Sequence, residues 1–130
     1  MAAFSDYLEN KVLGHVFGGT AYTAPSTLYA ALYTVAPSDT GGGTEVSGGG
    51  YARQTSTFNV SGTNPTEATN ASAIEYPEAT ANYGTVVAVG VFDALTSGNL
   101  LAYSTLTASK TIDSGDVFRI NAGNLDITLA

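Results

Sequence analysis

From Thr27 onward the sequence is a succession of short segments with apolar residues at every second position, each closed by a turn signal. That punctuation leaves room for little but an all-β fold. Thr27 to Val35 places Leu28, Ala30 and Leu32 on one face and Tyr29, Ala31 and Tyr33 on the other, so both faces are apolar enough to bury. Tyr51 to Val60 reads as a second strand, rich in threonine, closed by Ser61-Gly62 and followed by the turn-forming Asn64-Pro65. Ser72 to Tyr76 is a short strand stopped by Pro77. Gly84 to Phe92 is the most apolar segment and is expected at the centre of a sheet, with Gly90 marking a bulge or a close contact. Asp93 to Gly98 is a turn, and Asn99 to Leu106 returns from it as a hairpin partner. Ser109 to Ile112 and Asp116 to Ile120 flank Asp113-Ser114-Gly115, a tight hairpin signal, before Leu125, Ile127 and Leu129 alternate in a last strand. About eight strands at regular spacing predict an antiparallel β-sandwich, jelly-roll-like rather than immunoglobulin-like on strand count, as a single domain over 1–130.

One helix precedes the strands. Ser5 is a suitable cap for a segment ending near Phe17, with Asp6 and Glu9 suited to its positive end. Phe4, Leu8, Val12 and Val16 recur every fourth residue as one apolar stripe, joined by Leu13 and Phe17, and Gly18-Gly19 ends it. This short N-terminal α-helix over about residues 5–17 either closes one end of the sandwich or offers Leu8, Val12 and Val16 to a partner.

Between the first two strands runs Ser38-Asp-Thr-Gly-Gly-Gly-Thr-Glu-Val-Ser-Gly-Gly-Gly-Tyr-Ala-Arg-Gln54, part of a long Gly-rich loop over about 37–50. A phosphate loop needs a Lys-Ser/Thr pair and a following helix, whereas here a strand follows and the only lysines are Lys11 and Lys110. The glycines are read as a permissive loop.

The net charge of −7 and four scattered basic residues exclude the clustered cations that nucleic acid or an anionic membrane requires. Charged residues make up only 12% of the chain, so much of the polar surface must come from Thr, Ser, Asn and backbone. Without cysteine there is no disulfide, thiolate metal site or thiol nucleophile. The N-terminus has no signal-peptide pattern, so a chain made and left in the cytoplasm is expected, and Asn59-Val60-Ser61 and Asn70-Ala71-Ser72 are chance sequons.

His15, the only histidine, fits a helix-end position better than a catalytic one. Glu75 with Glu78, and Asp113 with Asp116, flank turns rather than marking a glycosidase pair, and no tryptophan is present to stack a sugar. Asp113, Asp116, Asn121, Asn124 and Asp126 form an oxygen-rich segment without EF-hand spacing. No cofactor, metal site or enzymatic activity is expected. Tyr51, Tyr76, Tyr83 and Tyr103 are the aromatics that a carbohydrate-binding module would display in a row.

Four stretches, "FSDYLENKVLGHVFGGTAYTAPSTLYAALYT", "GTEVSGGGYARQ", "YGTVVAVGVFDA" and "GNLLAYSTLTASKTIDSGD", taken in this order resemble a family of short tailed-phage virion proteins. Relatives of this kind are often called tail fibre proteins, and the pattern is also similar to small jelly-roll cement (decoration) proteins of phage capsids. The resemblance runs from Phe4 to Leu129. It implies a non-enzymatic structural protein on the capsid surface of the virion, bound to the major capsid protein as a dimer or trimer and stabilising the shell. A tail fibre or minor tail component that binds the host surface, or a carbohydrate-binding module, is the alternative. On that reading the glycine-bracketed loop conforms to a neighbouring subunit, with Glu45, Tyr51 and Arg53 beside Leu8, Val12 and Val16 as candidate contacts.

Overall fold

The computed structural model describes residues 3–129. Ala3–Phe4 (β1) leads into the helix Asp6–Val16 (α1). Leu28–Val35 (β2), Thr44–Glu45 (β3), Gln54–Ser56 (β4) and Phe58–Ser61 (β5) follow, then Thr66–Asn70 (β6) and Ile74–Glu75 (β7). Gly84–Phe92 (β8), Leu100–Ile112 (β9), Arg119–Ile120 (β10) and Asp126–Leu129 (β11) complete the chain. Every pairing is antiparallel. One sheet runs β1-β9-β8-β2-β3 with β4 also on β2, a second β11-β6-β5, and a third β10-β7. The all-β sandwich with one short helix is as the sequence pattern requires.

The alternation in β2 works on both faces. Ala30 and Leu32 enter the main core with Val86, Val89 and Val91 of β8, where Ile74, Tyr76, Phe118, Ile120 and Leu125 meet them from the smaller sheets and their flanking segments. Ala31 and Tyr33 point the other way, into a second cluster with Ala88, Phe92 and Leu100. A central strand buried on two sides explains why Gly84 to Phe92 is the most apolar stretch.

Gly90 proves to be a close contact. A Cβ built there would lie 2.8 Å from the Tyr33 ring and 3.0 Å from Leu100. Gly90→Ala is therefore expected to cost about 1–3 kcal/mol by overpacking, read as a lower urea midpoint with unchanged slope.

Several elements differ from the sequence reading. The span 51–60 is two strands in two sheets, β4 on β2 and β5 on β6, because the chain changes sheet at Thr57. The two segments expected at 99–106 and 109–112 are one strand, β9. Its register against β8 moves from Ala88–Thr105 to Val86–Lys110, so the extra residues bulge out without ending the pairing. Asp113 to Asp116 does form a turn, but its flanks do not pair: β9 stays with β8 while β10 joins β7. Strands β1, β3 and β6 were not anticipated, β3 lying inside the segment read as a loop over 37–50. Thr66–Asn70 carries almost no apolar residue and is a strand because β5 and β11 pair on either side of it.

Candidate functional site

The glycine-bracketed segment is anchored at both ends. All six of its glycines have positive φ. A Cβ at Gly43 would come within 2.5 Å of the Val35 carbonyl oxygen, and one at Gly49 within 2.8 Å of the Ala81 carbonyl oxygen. Those two glycines let the backbone turn hard against its neighbours. The loop is thus a pair of fixed turns rather than slack chain, and alanine at Gly43 or Gly49 disturbs the fold itself.

Between the turns, Glu45 on β3 meets Arg53 just ahead of β4. The guanidinium grips the carboxylate with both prongs, Nε to Oε2 and Nη2 to Oε1, each at 2.9 Å. Its Nη1 donates to the Ala94 and Ser97 carbonyls at 2.9 and 2.8 Å, and its Cζ lies 3.7 Å from the centre of the Phe92 ring. Tyr51 donates its hydroxyl to Glu45 Oε2 at 2.7 Å and accepts the Leu32 N–H at 2.9 Å. One cluster thus ties the glycine loop, the β8–β9 turn and β2 together. Burial pushes the Glu45 carboxyl up, but hydrogen bonds from Arg53 and Tyr51 and the arginine charge outweigh it and hold the group below its usual range. Burial, then the bond to Glu45, drives the Tyr51 hydroxyl far above its ordinary value.

The structure therefore brings Glu45, Tyr51 and Arg53 together, but toward each other. The Arg53 side chain is only 8% exposed and that of Glu45 26%, so their polar atoms are engaged within the chain rather than available outside it. Tyr51, Tyr76 and Tyr83 form no exposed row either. Tyr51 stacks on Tyr76 and meets Tyr83 edge-on inside the main core, and Tyr103 lies elsewhere, bonded to Asp39.

The helix is held at one end. Ser5, buried, caps it by accepting the Leu8 N–H at 3.2 Å, while its own hydroxyl donates to the Leu100 carbonyl at 2.5 Å and its N–H to the Leu101 carbonyl at 2.8 Å. At the other end, His15 Nδ1 accepts the Tyr22 N–H at 3.0 Å, turning the following coil back along the helix. Leu8 and Val12 are half-buried, and Val16 is 62% exposed. Leu13 and Phe17 are 59% and 82% exposed and, with Gly14, Gly18 and Ala21, flank a shallow groove. No residue of α1 is fully buried.

Sequence reasoning missed the role of Asn70. Its amide is buried, donating to the Ser72 and Asn121 carbonyls at 2.9 and 3.0 Å and accepting the Leu125 N–H at 2.9 Å. A sequon asparagine placed so deep cannot carry a glycan. The acidic C-terminal segment forms turns, with Asp116 Oδ2 accepting the Asp113 N–H at 2.9 Å. Among the described residues no group of three or more His, Asp or Glu converges on a common point that could hold a metal.

The fold is thus a small sandwich whose charged cluster clamps its own loops and whose apolar helix end is left open. Residues 3–128 match the family described as podophage GP4 fiber I protein gp80. The chain belongs to that family and is a bacteriophage virion structural protein. No curated protein matches it.

Proposed function

We propose that this chain is an appendage subunit on the outside of a podophage particle, anchored by its N-terminal helix and coil and holding the sandwich outward. The observation that carries the reading is the open helix end. A short helix is marginal alone and takes its stability from packing an apolar face, yet Leu13, Val16 and Phe17 face outward. Fibre membership fits the family description, and dimers or trimers through the arm would be the closed, symmetric association usual for homo-oligomers.

A second reading has its own support. The described residues form a folded sandwich with no fibrous repeat, which suits a capsid cement protein seated on the major capsid protein. Each such contact is modest, and repetition over the lattice stabilises the shell. Counting copies of the chain in purified particles by quantitative mass spectrometry separates the two. A handful, in threes or sixes, supports a fibre, and hundreds support a cement. Absence from the particle removes both.

The anchor has its own test. Leu13→Ser with Phe17→Ser should leave the melting temperature nearly unchanged, because exposed substitutions typically shift stability by no more than about 0.5 kcal/mol. Incorporation into particles should fall at least tenfold. Normal incorporation would assign attachment to another surface.

A further inference from the structure

We propose that His15 is a pH-sensitive latch, which holds the coil after α1 against the helix while its imidazole is neutral and releases it on protonation. The geometry is specific about where the proton sits. His15 Nδ1 accepts the Tyr22 N–H at 3.0 Å, so that nitrogen carries no hydrogen and the ring is the neutral tautomer with its proton on Nε2. A protonated imidazole donates from both nitrogens and accepts at neither. Two donors would then face each other, and the bond is lost.

Little else holds this coil. Gly18 donates its N–H to the Leu13 and Gly14 carbonyls, Gly19 turns the chain at a φ of 69°, and Thr20 returns its N–H to the Gly14 carbonyl at 3.0 Å. Beyond that point the bond to His15 is the one hydrogen bond that ties the backbone of 21–26 among the described residues. The coil is also one side of the groove at the open helix end, where Thr20 and Ala21 lie with Leu13, Gly14 and Phe17. Releasing Tyr22 therefore loosens that side of the groove. If the arm is the anchor, acid weakens the attachment; this use of the latch rests on the attachment reading, while the latch itself does not.

The sequence isolates the switch. His15 is the only histidine and there is no cysteine, so no other side chain is of a type that ordinarily changes charge between about pH 5 and 8. On α1, Lys11 lies one turn before His15, with its ammonium 5.5 Å from the centre of the Tyr7 ring. From the coil comes Tyr22 itself, half-buried, whose hydroxyl is raised by burial first and then by Tyr7 and by Asp93 of the β8–β9 turn. Tyr22 thus sits between the helix and that turn, and its N–H is the point at which the coil is fastened to the helix.

The test is nitrogen-15 NMR of the isolated chain from about pH 8 down to about pH 5, the range in which an imidazole takes up its second proton. The Tyr22 amide should shift in step with the His15 ring. Its protection from hydrogen exchange, corrected for the intrinsic rate, should fall about fivefold, the worth of one ordinary hydrogen bond. His15→Asn puts a carbonyl oxygen that does not titrate in the place of Nδ1 and should keep Tyr22 protected throughout, whereas His15→Ala should leave it unprotected throughout. His15 is exposed, so both variants should fold as the wild type does. The proposal is overturned by a Tyr22 amide that does not follow the imidazole, by a neutral ring with its proton on Nδ1, or by a wild-type pH response in His15→Asn. The particle plays no part in the measurement, so a null result leaves the attachment reading intact.

Discussion

Arg53→Ala should destabilise the fold by about 3–5 kcal/mol, the cost of breaking a buried pair by removing one partner. The loss has three parts. Glu45 keeps a largely buried charge with only the Tyr51 hydroxyl beside it. The Ala94 and Ser97 carbonyls lose their shared donor, so the β8–β9 turn comes away from the glycine loop. Phe92 loses the guanidinium over its ring. Arg53→Lys should recover only part of the loss, because an ammonium cannot reproduce the two-pronged grip or reach both carbonyls at once. Urea denaturation of the three proteins measures the order wild type, lysine, alanine. An alanine variant within 1 kcal/mol of wild type, about the upper limit for exposed pairs, would show the pair to be a surface one.

The same pair predicts a pH dependence with a definite sign. The Glu45 carboxyl is more acidic folded than unfolded, so on acidification the unfolded chain takes up the proton first. Its contribution is therefore complete above the ordinary value of 4.5 and disappears as the pH falls through the lower folded value. Wild type should lose stability across that window more steeply than Glu45→Gln, which lacks the group. Parallel curves would mean that other carboxylates govern the acid limb.

Tyr76→Ala is the second large effect, also about 3–5 kcal/mol, as for other buried aromatic truncations. Tyr76 is 2% exposed, stacks on Tyr51 with ring centres 6.0 Å apart, meets Phe118 edge-on at 5.9 Å and donates to the Ala30 carbonyl at 2.8 Å. It thereby joins β2 to the segments around β7 and β10, and a cavity at that point loosens the contact between sheets. Tyr76→Phe keeps the ring and loses the hydroxyl, so about 1–2 kcal/mol is expected. Similar losses in both variants would mean that the hydrogen bond, rather than the ring, carries the effect.

Neither residue's role could be read from its neighbours in the chain. In the sequence Tyr76 and Tyr51 are alike, both candidates for display in an aromatic row. The Tyr76 bond to Ala30 spans 46 residues, and no local pattern encodes a contact of that range. Arg53 and Glu45 are eight residues apart, but their geometry depends on both flanking β2, one through β3 and the other just ahead of β4. Tyr33 was legible as a strand residue facing the second side of a sheet.

What could be read from the sequence alone were the local matters: the capped helix from Ser5 to Phe17, the two-sided burial of residues 28–35, the central place of 84–92, the turn at 93–98 and the all-β class. Caps, period-two alternation and glycine turns act over a few residues, so the signal survives without the fold. The tertiary structure alone decided which strand pairs with which, where 51–60 changes sheets, why the polar Thr66–Asn70 is a strand, and that the apolar helix end stays uncovered. Each of these depends on which distant segment competes best for the same backbone hydrogen bonds or the same apolar surface, and that competition is settled only when the whole chain has folded.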